Sequence, residues 1–233
     1  MSEPETTAII LFARSRQAEI RDRSYTKSLG MQLSSMFVAS EYTTLTATLR
    51  ESGLPVYRYD ESTQRGDTFG HRLCNAIEDT LSLGHGQVII VGGDCPTLRT
   101  SDITTAAQLL QSHGSVLGPD ERGGIYLIAL TATTYNREAL LAVRWQTADV
   151  RRDIQKHLDD SPPALLTTRR DVHSLDDIRD LLHEPRELAA KISTLVHYIL
   201  DQIRAKPRAV TEMIGNPCIF LDASQERGPP VLV

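Results

Sequence analysis

Cysteines and aromatic residues are scarce in this chain, and no apolar run is long. Its 233 residues include only three cysteines, Cys74, Cys95 and Cys218, with no C-x-x-C spacing. This odd, scattered set excludes a disulfide framework and a zinc knuckle, and it predicts free thiols in a reducing compartment. Apolar runs such as 88–91 and 125–130 are far below the roughly 20 residues that span a bilayer, so we expect no membrane span.

The chain also lacks an excess of positive charge. Its 25 Lys and Arg residues stand against 30 Asp and Glu residues, for a formal net charge of −5. A mildly acidic protein binds phosphate backbones poorly, so nucleic acid is not an expected partner. Residues 1–7 are polar and acidic and do not have the pattern of a signal peptide, which predicts a cytoplasmic protein.

Several familiar catalytic motifs are absent. No H-E-x-x-H and no G-x-S-x-G occurs, which excludes the zincins and the α/β-hydrolases. The segment after the first predicted strand has neither G-x-G-x-x-G nor a Walker motif. Residues 14–27 instead contain five basic and two acidic residues, so this stretch is either a phosphate-binding loop that uses Arg14 or a solvated basic loop.

Short apolar runs alternate with longer segments of helical period, which is typical of βαβ units around a mostly parallel sheet. The length suits one large α/β domain, with or without an appendage. Strands are predicted at 8–12, 55–59, 88–91, 115–117, 125–130 and 164–167. Helices are predicted within 30–53, 68–83, 100–114, 136–143, 148–158 and 174–182, with Thr100 or Ser101 as the cap of the third.

The last fifty residues differ from the rest. Apolar residues between 188 and 203 recur with helical spacing, and something must cover this stripe. Packing on the main sheet is one interpretation, and pairing with a second copy in a homodimer is the other. We therefore expect a main domain over 1–183 and a helical extension with a tail over 184–233.

A buried strand leads directly into Gly92, Gly93 and Asp94. This order delivers a carboxylate to the sheet edge where open α/β folds bind ligands, and the glycines allow close approach to the backbone. A carboxylate there suits Mg²⁺ or Mn²⁺ together with substrate phosphate oxygens. The alternative is that Asp94 only caps the turn before Pro96.

Three further segments carry candidate residues. Gly66, Gly70 and Arg72 frame a predicted helix N-terminus that could face an anion, or Arg72 is a solvated helix residue. The 117–126 segment is a hairpin-like turn, in which Arg122 could bind a phosphate or neutralise a carboxylate. Asp171 and His173 precede a predicted helix and could reach a metal, although one such pair is a signal of low specificity.

Six segments occur in a recognisable order, at 12–15, 64–72, 93–98, 117–127, 145–147 and 171–174. Together they resemble a bacterial family with a GT-A-like, nucleotide-diphospho-sugar transferase fold. Its members are assigned as glycosyltransferases, some of them linked to arsenosugar biosynthesis. At superfamily level the family is similar to the 2-phospholactate guanylyltransferases. The resemblance spans roughly residues 8–183.

The resemblance implies a Rossmann-type three-layer α/β sandwich with a mostly parallel sheet, and a Mg²⁺ or Mn²⁺ ion that bridges a diphosphate. It implies transfer of a sugar from a nucleotide sugar, or of a nucleotidyl group from a nucleoside triphosphate, to an unidentified acceptor. Asp94 matches the metal-site aspartate, with Asp171 or His173 as further metal or base candidates. The positions that match nucleotide- or substrate-binding segments are Gln64, Gly66, Gly70, Arg72, Gly93, Gly123 and Gly124.

The chain departs from the family pattern at three places. The family reads Gly-Pro-x-x-Asp-Gly-Gly followed by an aromatic residue, whereas this chain has Arg122 and Ile125 at those positions. A late Asp-x-Asp reads Asp171-x-His173, and the glycine-containing loop after the first strand is missing. A member that binds a nucleotide or a protein partner without catalysis is therefore a rival hypothesis. Under this hypothesis, Arg122→Asp should restore activity if the enzyme is degenerate, and should reduce activity if Arg122 has acquired a new role.

Overall fold

The computed structural model describes residues 6–22, 31–157 and 162–172, together with Ser174 and Asp177. His173, the stripe at 188–203 and Cys218 lie outside these residues, as does the helix predicted at 174–182 apart from Ser174 and Asp177. The division into 1–183 and 184–233 therefore stays a prediction.

Helices and strands alternate along the described chain, as the sequence predicts. The strands are β1 (Thr7–Phe12), β2 (Val56–Tyr59), β3 (Gln87–Val91), β4 (Ser115–Pro119), β5 (Ile125–Thr131) and β6 (Ala164–Leu165). The helices are α1 (Arg16–Asp22), α2 (Met31–Glu51), α3 (Phe69–Leu81), α4 (Thr100–His113), α5 (Arg137–Leu141) and α6 (Val150–His157).

The six strands form one sheet in the order β2-β1-β3-β5-β4-β6. Every pairing is parallel except those of β5, which runs antiparallel to both β3 and β4. The turn predicted at 118–124 is accordingly the connection of a β4–β5 hairpin. The mostly parallel α/β sheet predicted from the sequence is confirmed.

Two apolar cores cover the two faces of the sheet. Alternate residues of β1 and β3 face α3, α5 and α6 on one side, where Ile10 and Ile90 are fully buried. The other residues of these strands face α2 and α4, where Ile9 and Ile89 are fully buried. The central strands read as continuous apolar runs because helices cover both faces. The result is the predicted three-layer sandwich.

Local signals explain most helix boundaries. The Thr68 side chain accepts a hydrogen bond from the His71 backbone and caps α3, and Gly114 closes α4 with φ of +69°. The predicted cap of α4 is wrong, because the cap is Arg99, whose N–H donates to the Asp102 carboxylate at 2.9 Å.

Cys74 and Cys95 are free and buried. Within the part of the chain that the structure describes, every helix is too short or too polar to cross a membrane.

Candidate functional site

The candidate site lies at the sheet edge where the parallel strands end. β5 runs the opposite way and begins at this edge. Open α/β sheets bind ligands in the crevice outside the carboxyl ends of their strands. The segments that leave or enter this edge carry the predicted site residues Arg14, Gln64, Gly66, Gly70, Arg72, Gly93, Asp94, Arg122, Gly123, Gly124 and Asp171.

Asp94 follows β3 and is half-buried. Its carbonyl oxygen accepts a hydrogen bond from the Val172 backbone at 3.0 Å. This bond joins the loop after β3 to the segment after β6, so the structure brings the two predicted carboxylates, Asp94 and Asp171, to one place. Gly93 lies beside Ala13 at the end of β1, with no side chain of its own between the two loops.

Asp171 is buried, and its Oδ1 atom has no hydrogen-bond partner. Burial raises the pKa of this carboxyl group well above its ordinary value, and the neighbouring carboxylates of Asp120 and Asp94 raise it further. A hydrogen bond with Cys95 acts in the opposite direction. A buried carboxyl that faces like charges favours its neutral form unless a proton or a cation compensates.

Asp120 lies at the candidate site and was not predicted from the sequence. It is 3% exposed and lies at the end of β4, where it forms an isolated parallel bridge with Arg169. Its Oδ1 atom accepts the N–H groups of Arg122 and Gly124, each at 2.7 Å. Its Oδ2 atom is buried without a partner. The signal that could have found it is an aspartate at the carboxyl end of a buried strand, as at Asp94.

The carboxylates of Asp94, Asp120 and Asp171 do not form a complete metal-binding site. Within residues 6–22, 31–157 and 162–172, no group of three or more His, Cys, Asp or Glu side chains is arranged to hold a metal ion. The arrangement is instead an electrostatically strained cluster, with two orphaned carboxylate oxygens.

The predicted phosphate loop after β1 is already engaged by a carboxylate. Glu61 accepts hydrogen bonds from the Ser15 backbone N–H, at 2.7 Å, and from the Ser15 hydroxyl. These bonds lower the pKa of Glu61. Arg14 is exposed beside them and lines a cleft of about 290 Å³ that also touches Gly93.

The 64–72 segment has mixed roles. Gln64 donates through Nε2 to the Tyr59 carbonyl at 3.0 Å, so it fastens the end of β2. Gly70 is buried in the first turn of α3, where a Cβ atom would come within 3.2 Å of the Trp145 ring nitrogen. Gly66 lies in the preceding loop. Arg72 is half-buried and has no ion-pair partner among the described residues, so its charge is available to an anion.

The turn between β4 and β5 is built around Asp120. Gly124 fits because a Cβ atom there would collide with Asp120 Oδ2, and Gly123 has φ of +90°. The Arg151 backbone N–H at the start of α6 donates to the Gly123 carbonyl at 3.0 Å. Arg122 turns its guanidinium to the buried carboxylate of Asp177. Arg122 therefore pairs with a carboxylate, and its predicted contact with a phosphate stays a prediction.

A buried ion pair between Arg169 and Asp102 fixes the segment that leads to Asp171. Arg169 donates through Nη2 and Nε to the two carboxylate oxygens of Asp102, at 2.9 and 3.1 Å, and both residues are buried. The Arg169 backbone N–H donates to Pro119 at 3.0 Å. The pair therefore fixes the segment before Asp171 against α4 and against β4.

A family model matches residues 32–147 of this chain, and it is described as "Uncharacterized protein conserved in bacteria (DUF2064)". No curated protein sequence matches the chain.

Solved structures share the fold. A "putative nucleotide-diphospho-sugar transferase" from Desulfovibrio desulfuricans aligns with a TM-score of 0.76 at 18% identity, covering 86% of this chain and 98% of that one. A Mycobacterium sp. strain JC1 protein aligns at 0.45, with 11% identity over 82% and 98% of the two chains. A Leptospira borgpetersenii cytidylyltransferase aligns at 0.42, with 12% identity over 94% and 100%.

The TM-score and coverage of the first alignment show that the two chains share a fold. The chain therefore belongs, over residues 32–147, to the bacterial DUF2064 family, and its fold is of the nucleotide-diphospho-sugar transferase type.

Proposed function

We propose that this protein is a metal-dependent glycosyltransferase that uses a nucleotide-sugar donor. One observation carries the proposal: the carboxylate of Asp171 is buried at the ligand-binding edge of the sheet, beside Asp94, with an oxygen that has no hydrogen-bond partner. The fold type and the resemblance in motif order support the same chemistry, because both involve nucleotide diphosphates.

The donor set fits Mg²⁺ or Mn²⁺. These hard cations prefer carboxylate oxygens and usually keep waters and substrate phosphates as further ligands, so they do not need a complete protein shell. Asp94 and Asp171 would hold the ion, and His173 stays a candidate outside the described residues. Burial, and then repulsion from neighbouring carboxylates, raises the pKa of Asp171, and a cation would offset both effects.

When bound, the ion supplies positive charge to the diphosphate as it departs. The chain's own residues supply the rest. Gly93 leaves the strand end open to the donor. Arg72 contributes a half-buried cation at the same edge, which can stabilise charge on a departing phosphate. In the transfer, the bond from the sugar's anomeric carbon to the diphosphate oxygen breaks and the nucleoside diphosphate leaves. A bond forms from that carbon to the oxygen of an acceptor hydroxyl, which gives up its proton to solvent.

Product analysis tests the proposal and separates it from its rivals. The full chain is incubated with nucleotide sugars or with nucleoside triphosphates, in Mn²⁺ or in chelator. A glycosyltransferase releases a nucleoside diphosphate, a nucleotidyltransferase releases pyrophosphate, and a non-catalytic binder releases neither.

A matched pair of variants controls the assay. Asp94→Asn should abolish metal-dependent release, whereas Asp79→Asn should not, because Asp79 is an α3 carboxylate paired with the exposed Arg65. Equal activity of Asp94→Asn and the wild type would contradict the assignment of the metal site.

A further inference from the structure

We infer that Glu61 is a positioning residue, which holds Arg14 at the donor-binding edge of the sheet through its hydrogen bonds to Ser15. The inference rests on the proposed function, because it concerns how the loop after β1 meets the diphosphate of the donor. It gives a role to a stretch that lacks the glycines of familiar phosphate-binding loops. Glu61 is not among the residues predicted from the sequence.

The loop after β1 lies beside the candidate site. A Cβ atom on Gly93 would come within 3.2 Å of the Ala13 Cβ atom, so the end of β1 lies against the loop that carries Asp94. Arg14 is exposed and lines the same cleft as Gly93. A guanidinium suits phosphate oxygens in both charge and geometry. Arg14 is thus the residue through which this loop can contact a diphosphate.

Two hydrogen bonds of the backbone bracket Arg14. The Ala13 N–H group donates to the Tyr59 carbonyl at 3.2 Å, and the Ser15 N–H group donates to the Glu61 carboxylate at 2.7 Å. The Ser15 hydroxyl donates to the other oxygen of the same carboxylate. The acceptors lie at the end of β2 and in the turn that follows it. The backbone is therefore fixed on both sides of the arginine.

The turn after β2 is ordered by its own hydrogen bonds. The Asp60 carbonyl accepts the N–H groups of Thr63 and Gln64, at 2.9 and 2.8 Å. The Asp60 carboxylate accepts the Ser62 N–H group at 3.0 Å. Aspartate side chains commonly order turns in this way. Because the turn is already ordered, Glu61 loses little further freedom when it binds the loop after β1.

The carboxylate of Glu61 uses both of its oxygens on one residue. Hydrogen bonds to an ionised group are stronger than those between neutral groups. The bonds from Ser15 lower the pKa of Glu61, so the carboxylate is charged at neutral pH. They also occupy the N–H and hydroxyl groups of Ser15, which are then not the groups that meet a ligand. What Glu61 contributes to the site is the position of Arg14.

Calorimetry of nucleoside diphosphates with the full chain tests the inference. UDP, GDP, CDP and ADP are titrated in Mn²⁺, because a nucleoside diphosphate is the leaving group of the donor. For the nucleotide that the wild type binds most tightly, Glu61→Ala should weaken binding about tenfold, since a site that is no longer preorganised binds less tightly. Glu61→Gln should bind within about threefold of the wild type, because its amide can still accept from the Ser15 N–H group and donate to the hydroxyl.

A double-mutant cycle tests the route through Arg14. If Glu61 acts through Arg14, adding Glu61→Ala to Arg14→Ala should weaken binding by less than about twofold, because the two residues act as a unit. Additive effects would contradict the inference. Glu78→Ala is the matched control, since Glu78 also accepts two side-chain hydrogen bonds, from Tyr135 and Arg137, near the far end of α3. It should change binding by less than about twofold.

Hydrogen exchange measures the positioning without any ligand. The Ser15 amide proton should exchange about tenfold faster in Glu61→Ala than in the wild type, because its acceptor is gone. Its rate in Glu78→Ala should equal that of the wild type. Glu61 is exposed, so we expect Glu61→Ala to fold, and its melting temperature verifies this.

The outcomes separate the two proposals. If the wild type binds a nucleotide in Mn²⁺ and Glu61→Ala binds it as tightly or more tightly, the inference is wrong and the proposed function stands. Tighter binding would mean that the carboxylate competes with the ligand for Ser15. An unchanged exchange rate of the Ser15 amide also overturns the inference. If the wild type binds none of the four nucleotides, the proposed function fails, and the positioning role of Glu61 fails with it.

Discussion

The guanidinium of Arg122 pairs with the carboxylate of Asp177, which is 4% exposed. This ion pair joins the turn between β4 and β5 to the chain that follows Asp171. The substitution that looked like the loss of a site carboxylate thus has a defined structural partner 55 residues away.

Arg122→Asp should destabilise the protein rather than restore an activity. It removes the guanidinium from a buried carboxylate and places a second negative charge beside it, at a cost of about 1–3 kcal/mol. Urea unfolding measures the loss.

The exchange Arg122→Asp with Asp177→Arg should recover part of this stability. Arg65→Asp, which reverses the charge of an exposed ion pair, should have a small effect. An unchanged unfolding midpoint together with a gain of activity in Arg122→Asp would contradict this prediction. It would mean that Arg122 inactivates a catalytic site.

Arg169→Met should be among the most destabilising single substitutions near the site. It leaves the buried Asp102 carboxylate without its bidentate partner, and breaking a buried pair from one side costs about 3–5 kcal/mol. Combining it with Asp102→Asn should cost less than the sum of the single effects. Additive free energies of unfolding, to within about 0.5 kcal/mol, would mean that the pair is not coupled.

Asp153 gives the protein a defined acid sensitivity. Hydrogen bonds from Arg144, two from the guanidinium and one from the backbone, hold the pKa of Asp153 at about 2. A carboxyl whose pKa is lowered by folding stabilises the native state above its unfolded pKa, near 3.8. That contribution disappears as the pH falls through the folded pKa.

Urea unfolding of the wild type and Asp153→Asn should therefore differ between pH 5 and 7. The two curves should converge as the pH falls from about 4 to about 2. A difference that stays constant down to the lowest pH would show that the carboxylate charge is not the cause.

The features that could be predicted from the sequence are those that depend only on residues close together in the chain. The apolar runs around Ile90 and Ile128 predicted buried strands, and the four-residue repeat that starts at Phe69 predicted α3. Glycine next to aspartate after β3 predicted the position of Asp94. These signals depend on near neighbours in the chain, so one sequence contains them.

Contacts between distant residues could not be predicted in the same way. Asp120 looked like a turn residue, because only the sheet order brings it beside Asp171. The partner of Arg122 lies on a segment with no local signal that connects the two. Gly70 fitted a phosphate-binding pattern, yet the structure packs it against Trp145. In each case the fold, rather than spacing along the chain, determines the neighbour.

A binding screen tests whether a metal-dependent nucleotide site lies at Asp94. Thermal shift or calorimetry compares the wild type, Asp94→Asn and Asp79→Asn against nucleotide sugars and nucleoside triphosphates, with and without Mn²⁺ or Mg²⁺. A ligand at about 100 times its Kd stabilises the native state by about 2.7 kcal/mol. We expect metal-dependent stabilisation of the wild type and of Asp79→Asn, and its loss in Asp94→Asn. Equal stabilisation of Asp94→Asn, or no stabilisation by any ligand, would contradict it.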